Sequence, residues 1–519
     1  MSIHSRLGST TREHVDAPDT RLWTLLTVAI CVTGVILRIV ILRSAAGRLD
    51  GDEGVVAMMA DAMRQGHTPP LFFSGEYYGG TYEPMLGAIA LLVHRSATAL
   101  KMVPLLCSAL GGVLLARTGR RFTSEHQARF VGAVFFAWPG TTWLATKERG
   151  FYWVMLIFVL TALLFAARLH QHEPHRLASW FAYGAAVGSA WYTSAQSVYL
   201  LAPLTLWLFI TTRPHLNEVA RATIGFLAGA APWIIGFVKY GSNVLHQEPA
   251  SASYFVRLNH VTFQLVPRVL GLRRLFVGGW TLGLLGTALY GAAIGAIVWW
   301  LYQTVASWRT SRCNPPHAVL LGALILVFPI LAAVPSLATF VSEPRYGLLL
   351  VPPVALIVGR FASTRRRVIA VSALIVTFAV TSTANLVDLA NQPQQALLDL
   401  APSRTEALTA LLQQRHIDRV YADYWLAYPL TFSSKRGLVA SPLDLPRNRE
   451  TQSIVDSAQA RTWVVYAGSS RDLALQRLFA HGFIRAVREP HGEFVVFTLT
   501  AYLNPINLNR FWVRYPPGK

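Results

Sequence analysis

Apolar residues run almost unbroken through positions 22–42, 151–167 and 280–302. Each run is close to the ~20 residues that a helix needs to cross a bilayer. Strands of a membrane barrel would alternate apolar and polar positions, so continuous runs predict transmembrane helices. The first run follows a polar stretch, 1–21, and has no clear small-residue cleavage site before the next polar loop. It therefore reads as a retained signal anchor and not a cleavable signal peptide.

Arginines punctuate these runs, in clusters at Arg6/Arg12/Arg21, Arg117/Arg120/Arg121/Arg129, Arg168/Arg176, Arg213/Arg221, Arg309/Arg312 and Arg360/Arg365/Arg366/Arg367. The positive-inside rule assigns all of them to the cytoplasm. Between the later clusters lie paired apolar segments: 130–146 with 151–168, 177–193 with 197–212, 218–238 with 280–303, and 317–339 with 346–361. A last span at 367–386 leads outside. The stretch 82–117 is interrupted by His94-Arg95-Ser96-Ala97-Thr98-Ala99-Leu100-Lys101, which predicts a short interfacial or re-entrant piece before one full crossing. The expected architecture is a polytopic α-helical membrane protein of about 11 crossings, with 12 or 13 as the open alternative.

Beyond Asn385 the pattern changes. Short β-rich runs at 419–422, 462–467, 484–487 and 494–499 alternate with helical stretches at 404–415 and 471–481. This predicts a small α/β domain over 391–519, placed outside the cytoplasm by the charge rule. The chain then divides into a cytoplasmic tail 1–21, a membrane module 22–390 with a first external loop 43–82, and an extracytoplasmic domain.

Composition agrees with a lipid solvent: 53% of the 519 residues are hydrophobic and 14% charged, against ~25% charged in soluble domains. The net charge of +20 follows from basic residues in short loops, as topology demands, so no nucleic-acid partner is expected. Cys31, Cys107 and Cys313 fall in or beside apolar spans without metal or redox spacing and read as packing residues.

The acids concentrate in the first external loop. It runs Asp50-Gly51-Asp52-Glu53-Gly54, then a helical stretch to Arg64, then Pro69-Pro70, Tyr77-Tyr78-Gly79-Gly80 and Tyr82-Glu83-Pro84. Val55, Val56, Met59 and Met63 share one face of that helix, which is expected to lie on the bilayer. Asp52, near its start, has three readings: a helix cap, a general base towards an acceptor hydroxyl, or a divalent-metal ligand with Asp50 and Glu53. The last lacks the rest of a calcium ligand series. Tyr77 and Tyr78, beside glycines that admit close backbone approach, offer either ligand stacking or an interfacial aromatic belt.

Lys147-Glu148-Arg149 and Glu343-Pro344-Arg345-Tyr346 lie at outer helix ends, against the positive-inside trend. The planar guanidinium fork suits phosphate oxygens; the alternative is a local ion pair with Glu148 or Glu343. The run Tyr421-Ala422-Asp423-Tyr424-Trp425 is expected to be core packing, with sugar stacking as the alternative.

An Asp-Glu pair after the first helix, an amphipathic helix, a Pro turn and Tyr82-Glu83 entering the next span together resemble the membrane glycosyltransferases of the GT-C fold. The branch that holds the protein O-mannosyltransferases and lipid A aminoarabinose transferases is the most similar. In the latter a basic residue follows the later carboxylate of the loop, whereas here Glu83 precedes Pro84 and Met85, which moves the expected phosphate contacts to Arg345 and Arg149. The resemblance implies a hexosyl- or pentosyltransferase in the cell membrane that uses a polyprenyl-phosphate sugar donor. The acceptor is a hydroxyl of a glycan, lipid or protein, attacked with inversion on the external face among membrane lipids. Asp52 would be the base, with Glu53 or Glu83 orienting the acceptor. Tyr77, Tyr78, Lys147, Arg149, Arg345 and Tyr346 would bind substrate, and a divalent metal at the acidic loop is the one cofactor left open. A secondary transporter would place ionisable groups at mid-membrane, but the middles of 151–168, 280–303, 317–339 and 367–386 carry none. A lipid-diphosphate-dependent polysaccharide ligase and a non-catalytic scaffold are the remaining alternatives.

Overall fold

The computed structural model describes residues 19–171, 175–246, 250, 252–311, 317–392, 405–434, 437–482 and 484–514. Arg6, Arg12, Arg312, Cys313 and Arg404 of the sequence reading lie outside them. The membrane module is built from α1 (Thr20–Arg43), α2 (Gly51–Arg64), α3 (Tyr82–Val93), α4 (Ala97–Gly119), α5 (Glu125–Phe136), α6 (Tyr152–His170), α7 (Arg176–Thr193), α8 (Val198–Thr212) and α9 (Leu216–Tyr240). It continues through α10 (Tyr254–His260), α11 (Val266–Val269), α12 (Leu284–Ser311), α13 (His317–Ala332), α14 (Val351–Phe361) and α15 (Arg365–Asn391). Among the described residues, seven helices are long and apolar enough to cross a membrane, and α3 and part of α13 are shorter apolar helices. The broken segment 82–117 resolves into the 12-residue α3 and the 23-residue α4, whose start is capped by Ser96.

Two segments that read as uninterrupted spans are broken. Helix α5 stops at Phe136, where Arg38 of α1 donates to the Phe136 carbonyl at 2.5 Å and lies over its ring. A helix end buried without such a partner would leave its carbonyls unsatisfied. The chain then continues through a short 3-10 turn, Leu144–Thr146, into Lys147-Glu148-Arg149. Similarly, a 3-10 segment, Pro344–Leu350, precedes α14. Pro344 suits a helical first turn because it has no N–H to leave unpaired. These interruptions bring charged side chains into the interior, where an intact apolar helix could not carry them.

The C-terminal domain holds α16 (Thr405–Gln414), α17 (Tyr424–Ser433), α18 (Arg449–Ser457), α19 (Ser470–His481) and α20 (Asn509–Arg514) around five strands. These are β1 (Arg419–Ala422), β2 (Val439–Pro442), β3 (Thr462–Tyr466), β4 (Ala486–His491) and β5 (Phe494–Leu499), in the order β2-β1-β3-β5-β4. The β2-β1-β3 pairs are parallel and β3-β5-β4 antiparallel. Strand β3 is buried along its whole length, as a central strand covered on both faces should be. Leu426 and Leu430 of α17 pack on one side of the sheet, and Phe479 of α19 with Trp512 on the other.

Helix α2 does not lie on the bilayer as expected from its apolar face. Val55 and Met59 pack against Tyr424 and Tyr428 of α17, while Val56, Ala57 and Ala60 face Ala88, Leu91 and Leu100 of α3 and α4. Met63 borders both clusters. The two helices approach closely because α2 has glycine at Gly51 and Gly54. A Cβ at Gly54 would stand 2.7 Å from the Pro429 nitrogen and Tyr428 Cβ. Gly54→Val should therefore destabilise the protein by about 1–3 kcal/mol, the usual range for overpacking, and thermal unfolding in lipid nanodiscs measures it.

Candidate active site

Asp50, not Asp52, caps α2. Its carboxylate accepts the Glu53 N–H at 3.1 Å, and Glu53 reaches back to the Asp50 N–H at 3.3 Å, a complete capping box. Asp52 is thereby released from any local duty, and its carboxylate turns towards three distant donors. Arg345 Nη1 donates to Oδ2 at 2.8 Å and Arg149 Nη1 to the same oxygen at 3.1 Å. The Tyr424 hydroxyl donates to Oδ1 at 2.9 Å.

Behind Asp52 lies a buried ion network. Glu53 pairs with Lys101 and, at 2.9 Å, with Lys147, and accepts the Glu148 N–H at 3.1 Å. Lys147 also reaches Asp50, and Arg149 joins Asp50 at 3.0 Å and Glu343 at 3.4 Å. Arg345 Nε adds a second contact to Glu343 at 3.2 Å. Four carboxylates (Asp50, Asp52, Glu53, Glu343) thus face four cations (Lys101, Lys147, Arg149, Arg345). Such balance is what permits charges to be buried at all.

Exposure separates their roles. Asp52 and Arg345 side chains are 23% and 17% exposed, whereas Lys101, Lys147 and Arg149 are 3%, 1% and 0%. Burial pushes the Asp52 carboxyl upward, but Arg345 and Arg149 together outweigh it and hold it well below the usual carboxylate range. Asp52 is therefore ionised. Burial likewise raises Glu343, and its two arginines only partly offset this.

Glu83, in the first turn of α3, is completely enclosed against the start of α6, accepting the Trp153 and Val154 N–H groups at 3.1 and 3.2 Å. Its neighbour is the equally buried Glu148, whose carboxyl is held well above the ordinary range by burial and then by Glu83. Glu53 and Glu83, expected to orient an acceptor, are both enclosed in this structure.

The aromatic residues border the exposed side. Tyr77 and Tyr78 are exposed; Tyr77 lies against Tyr240 at 5.3 Å and Tyr78 edge-on to Phe151. Tyr346 is half-buried, edge-on to Tyr152, with the Arg345 guanidinium over both rings. The sequence marks Lys101 only as the end of the polar break in 82–117, and Tyr424 only as core packing. Its aromatic run does pack, but the hydroxyl of Tyr424 leaves the core for Asp52. As for a divalent ion, the loop carboxylates are already matched to cations, and among the described residues no cluster of three or more His, Cys, Asp or Glu is placed to hold one.

A polytopic helical module with an acidic loop helix beneath a small mixed-sheet domain is the GT-C glycosyltransferase fold. In particular, the chain is similar to ArnT from Cupriavidus metallidurans bound to undecaprenyl phosphate, at 13% identity and a TM-score of 0.59 over 92% of this chain and 98% of that one. The apo state of the same protein matches at 14% identity and 0.55, over 92% and 97%. The Archaeoglobus fulgidus oligosaccharyltransferase tethered to an acceptor peptide containing the NVT sequon matches at 12% identity and 0.50, over 86% and 69%. No protein-family model matches the chain, and no curated protein matches it by sequence. Likeness at these identities carries the fold; the chemistry rests on the site itself.

Proposed function

We propose that this chain is a membrane glycosyltransferase that moves a sugar from a polyprenyl-phosphate-linked donor to an acceptor hydroxyl on the external face of the cell membrane. The observation that carries the reading is Asp52: ionised, partly exposed, free of the helix cap and beside the most exposed cation of the cluster. The ArnT match was solved with undecaprenyl phosphate bound, which supports a lipid-phosphate donor here. The arginine clusters support a cytoplasmic N-terminus and an extracytoplasmic C-terminal domain.

In the reaction, the donor phosphate binds Arg345 while Arg345 Nη1 stays on Oδ2 of Asp52. The phosphate charge beside Asp52 disfavours its ionised form, so its proton affinity rises. The acceptor oxygen attacks the anomeric carbon and its proton passes to Asp52. The bond between that carbon and the phosphate oxygen breaks on the opposite face, the electron pair leaving with polyprenyl phosphate. Arg345 and the buried Arg149 stabilise the developing phosphate charge, in place of a general acid. Tyr77, Tyr78 and Tyr346 flank the sugar, while Lys147, Glu53 and Glu83 hold the arginines and Asp52 in register.

Arg345→Gln tests the reading. Losing one or two charge-assisted hydrogen bonds should lower kcat/KM for the donor about 10–100-fold, mostly through donor KM. The ionised form of Asp52 is the active one, so activity falls as pH drops through its pKa. Removing Arg345 should move that acid limb to higher pH, as kcat/KM profiles report. A variant with unchanged donor KM and an unmoved limb would contradict the assignment of Arg345.

A further inference from the structure

The three donors on Asp52 are unequally distributed. Oδ2 receives Arg345 and Arg149, which fill its two lone pairs. Among the described residues Oδ1 receives Tyr424 alone, so its second lone pair is the place where an acceptor hydroxyl can deliver its proton. Tyr424 therefore sets the rotation of the carboxylate and the direction of that lone pair, and it does so from the C-terminal domain.

What fixes Tyr424 lies deeper in that domain. Asp423 is the N-cap of α17, accepting the Trp425 N–H at 3.3 Å, and it pairs with Arg471 Nη1 at 3.3 Å. Arg471 is completely buried over the Trp512 ring, and its Nη2 meets Asp444 at 2.6 Å. Asp444 leads into the loop that makes the domain's other grip on the acidic loop. There Arg447 pairs with Glu76, and Ser74 Oγ donates to the Arg447 carbonyl at 2.7 Å. The Arg447 and Asn448 N–H groups in turn donate to the Tyr428 hydroxyl on α17. One buried guanidinium thus ties together two segments with which the C-terminal domain holds the first external loop.

We propose that Tyr424 is a positioning residue that aims Oδ1 of Asp52 at the acceptor, and that Arg471 fixes Tyr424 through Asp423. The inference rests on Asp52 being the base of the transfer reaction. Tyr424→Phe removes only the hydroxyl, and Asp423→Asn keeps a capping side chain while removing the charge that Arg471 faces.

The test is steady-state transfer by the full chain in nanodiscs, with a polyprenyl-phosphate sugar and an acceptor alcohol, for wild type, each single variant and the double variant. Tyr424→Phe should lower kcat about tenfold, the loss of one hydrogen bond to a charged group, with donor KM unchanged. Asp423→Asn should lower kcat by a smaller factor alone and by nothing further in the Tyr424→Phe background, as coupled residues in one chain of contacts behave. Arg471→Lys carries the same cycle if Asp423→Asn lowers the unfolding temperature. Wild-type kcat in Tyr424→Phe, or an Asp423→Asn effect of equal size in both backgrounds, overturns the proposal. Asp52→Asn is run beside them: if it transfers sugar as well as wild type, it is the assignment of the base that fails, and with it the premise. A wild-type chain that transfers nothing overturns both.

Discussion

Asp52→Asn should abolish sugar transfer, by about 10²–10⁴-fold, the range of a lost general base, while the protein folds normally. The two halves of this expectation have separate grounds. Activity falls because the amide cannot take the acceptor proton, although it retains nearly the shape of the carboxylate. Folding persists because the α2 cap is supplied by Asp50 and the capping box by Glu53. Arg149 keeps Asp50 and Glu343 as partners, and Arg345 keeps Glu343. Equal thermal unfolding of the two proteins, with transfer lost in one, is the expected pair of results. A variant that loses activity and folding together would show that Asp52 is needed to balance the buried arginines.

Glu53→Ala should do the reverse and attack the fold. Glu53 is the shared carboxylate of Lys101 and Lys147 and accepts the Glu148 N–H. Among the described residues, removing it leaves Lys101 with no carboxylate partner and Lys147 with Asp50 alone, in surroundings closed to water. Breaking a buried pair by deleting one partner destabilises by about 3–5 kcal/mol, much of the 5–15 kcal/mol margin of an ordinary domain. The variant should express poorly or unfold well below wild type in nanodiscs, and Glu53→Gln should be milder because it retains an acceptor for one lysine. Wild-type stability in Glu53→Ala would mean that the lysines reach other partners.

The sequence was legible where the signal is local. Strands β1 and β5 fall on the runs read as β-rich, and the helices at 404–415 and 471–481 correspond to α16 and α19. Strand β2 was passed over because its four residues, ending in Pro442, carry no alternation; its pairing with β1 is what makes it a strand. The spacing of Val55, Val56, Met59 and Met63 predicts an apolar face lying on the bilayer, whereas the structure packs it against α3, α4 and α17. Periodicity reports that a face is covered, not what covers it, and here it is a helix about 370 positions away in sequence. Lys147, Arg149 and Arg345 stood out because their charge opposed the topology, and the structure brings all three to the acidic loop. Lys101 and Tyr424 gave no comparable signal. A lone lysine also marks a helix boundary, and an aromatic run in a small domain is first of all core. Which carboxylate caps α2 was likewise beyond sequence, since Asp50 and Asp52 both precede the apolar face and only backbone geometry separates them.

The most direct measurement is release of free polyprenyl phosphate by the purified chain in nanodiscs, supplied with a panel of polyprenyl-phosphate sugars and, separately, polyprenyl-diphosphate sugars. Release of the monophosphate from at least one sugar in the first panel, lost in Asp52→Asn, is the predicted result. Turnover confined to the diphosphate panel, or release that is the same in wild type and Asp52→Asn, would contradict it.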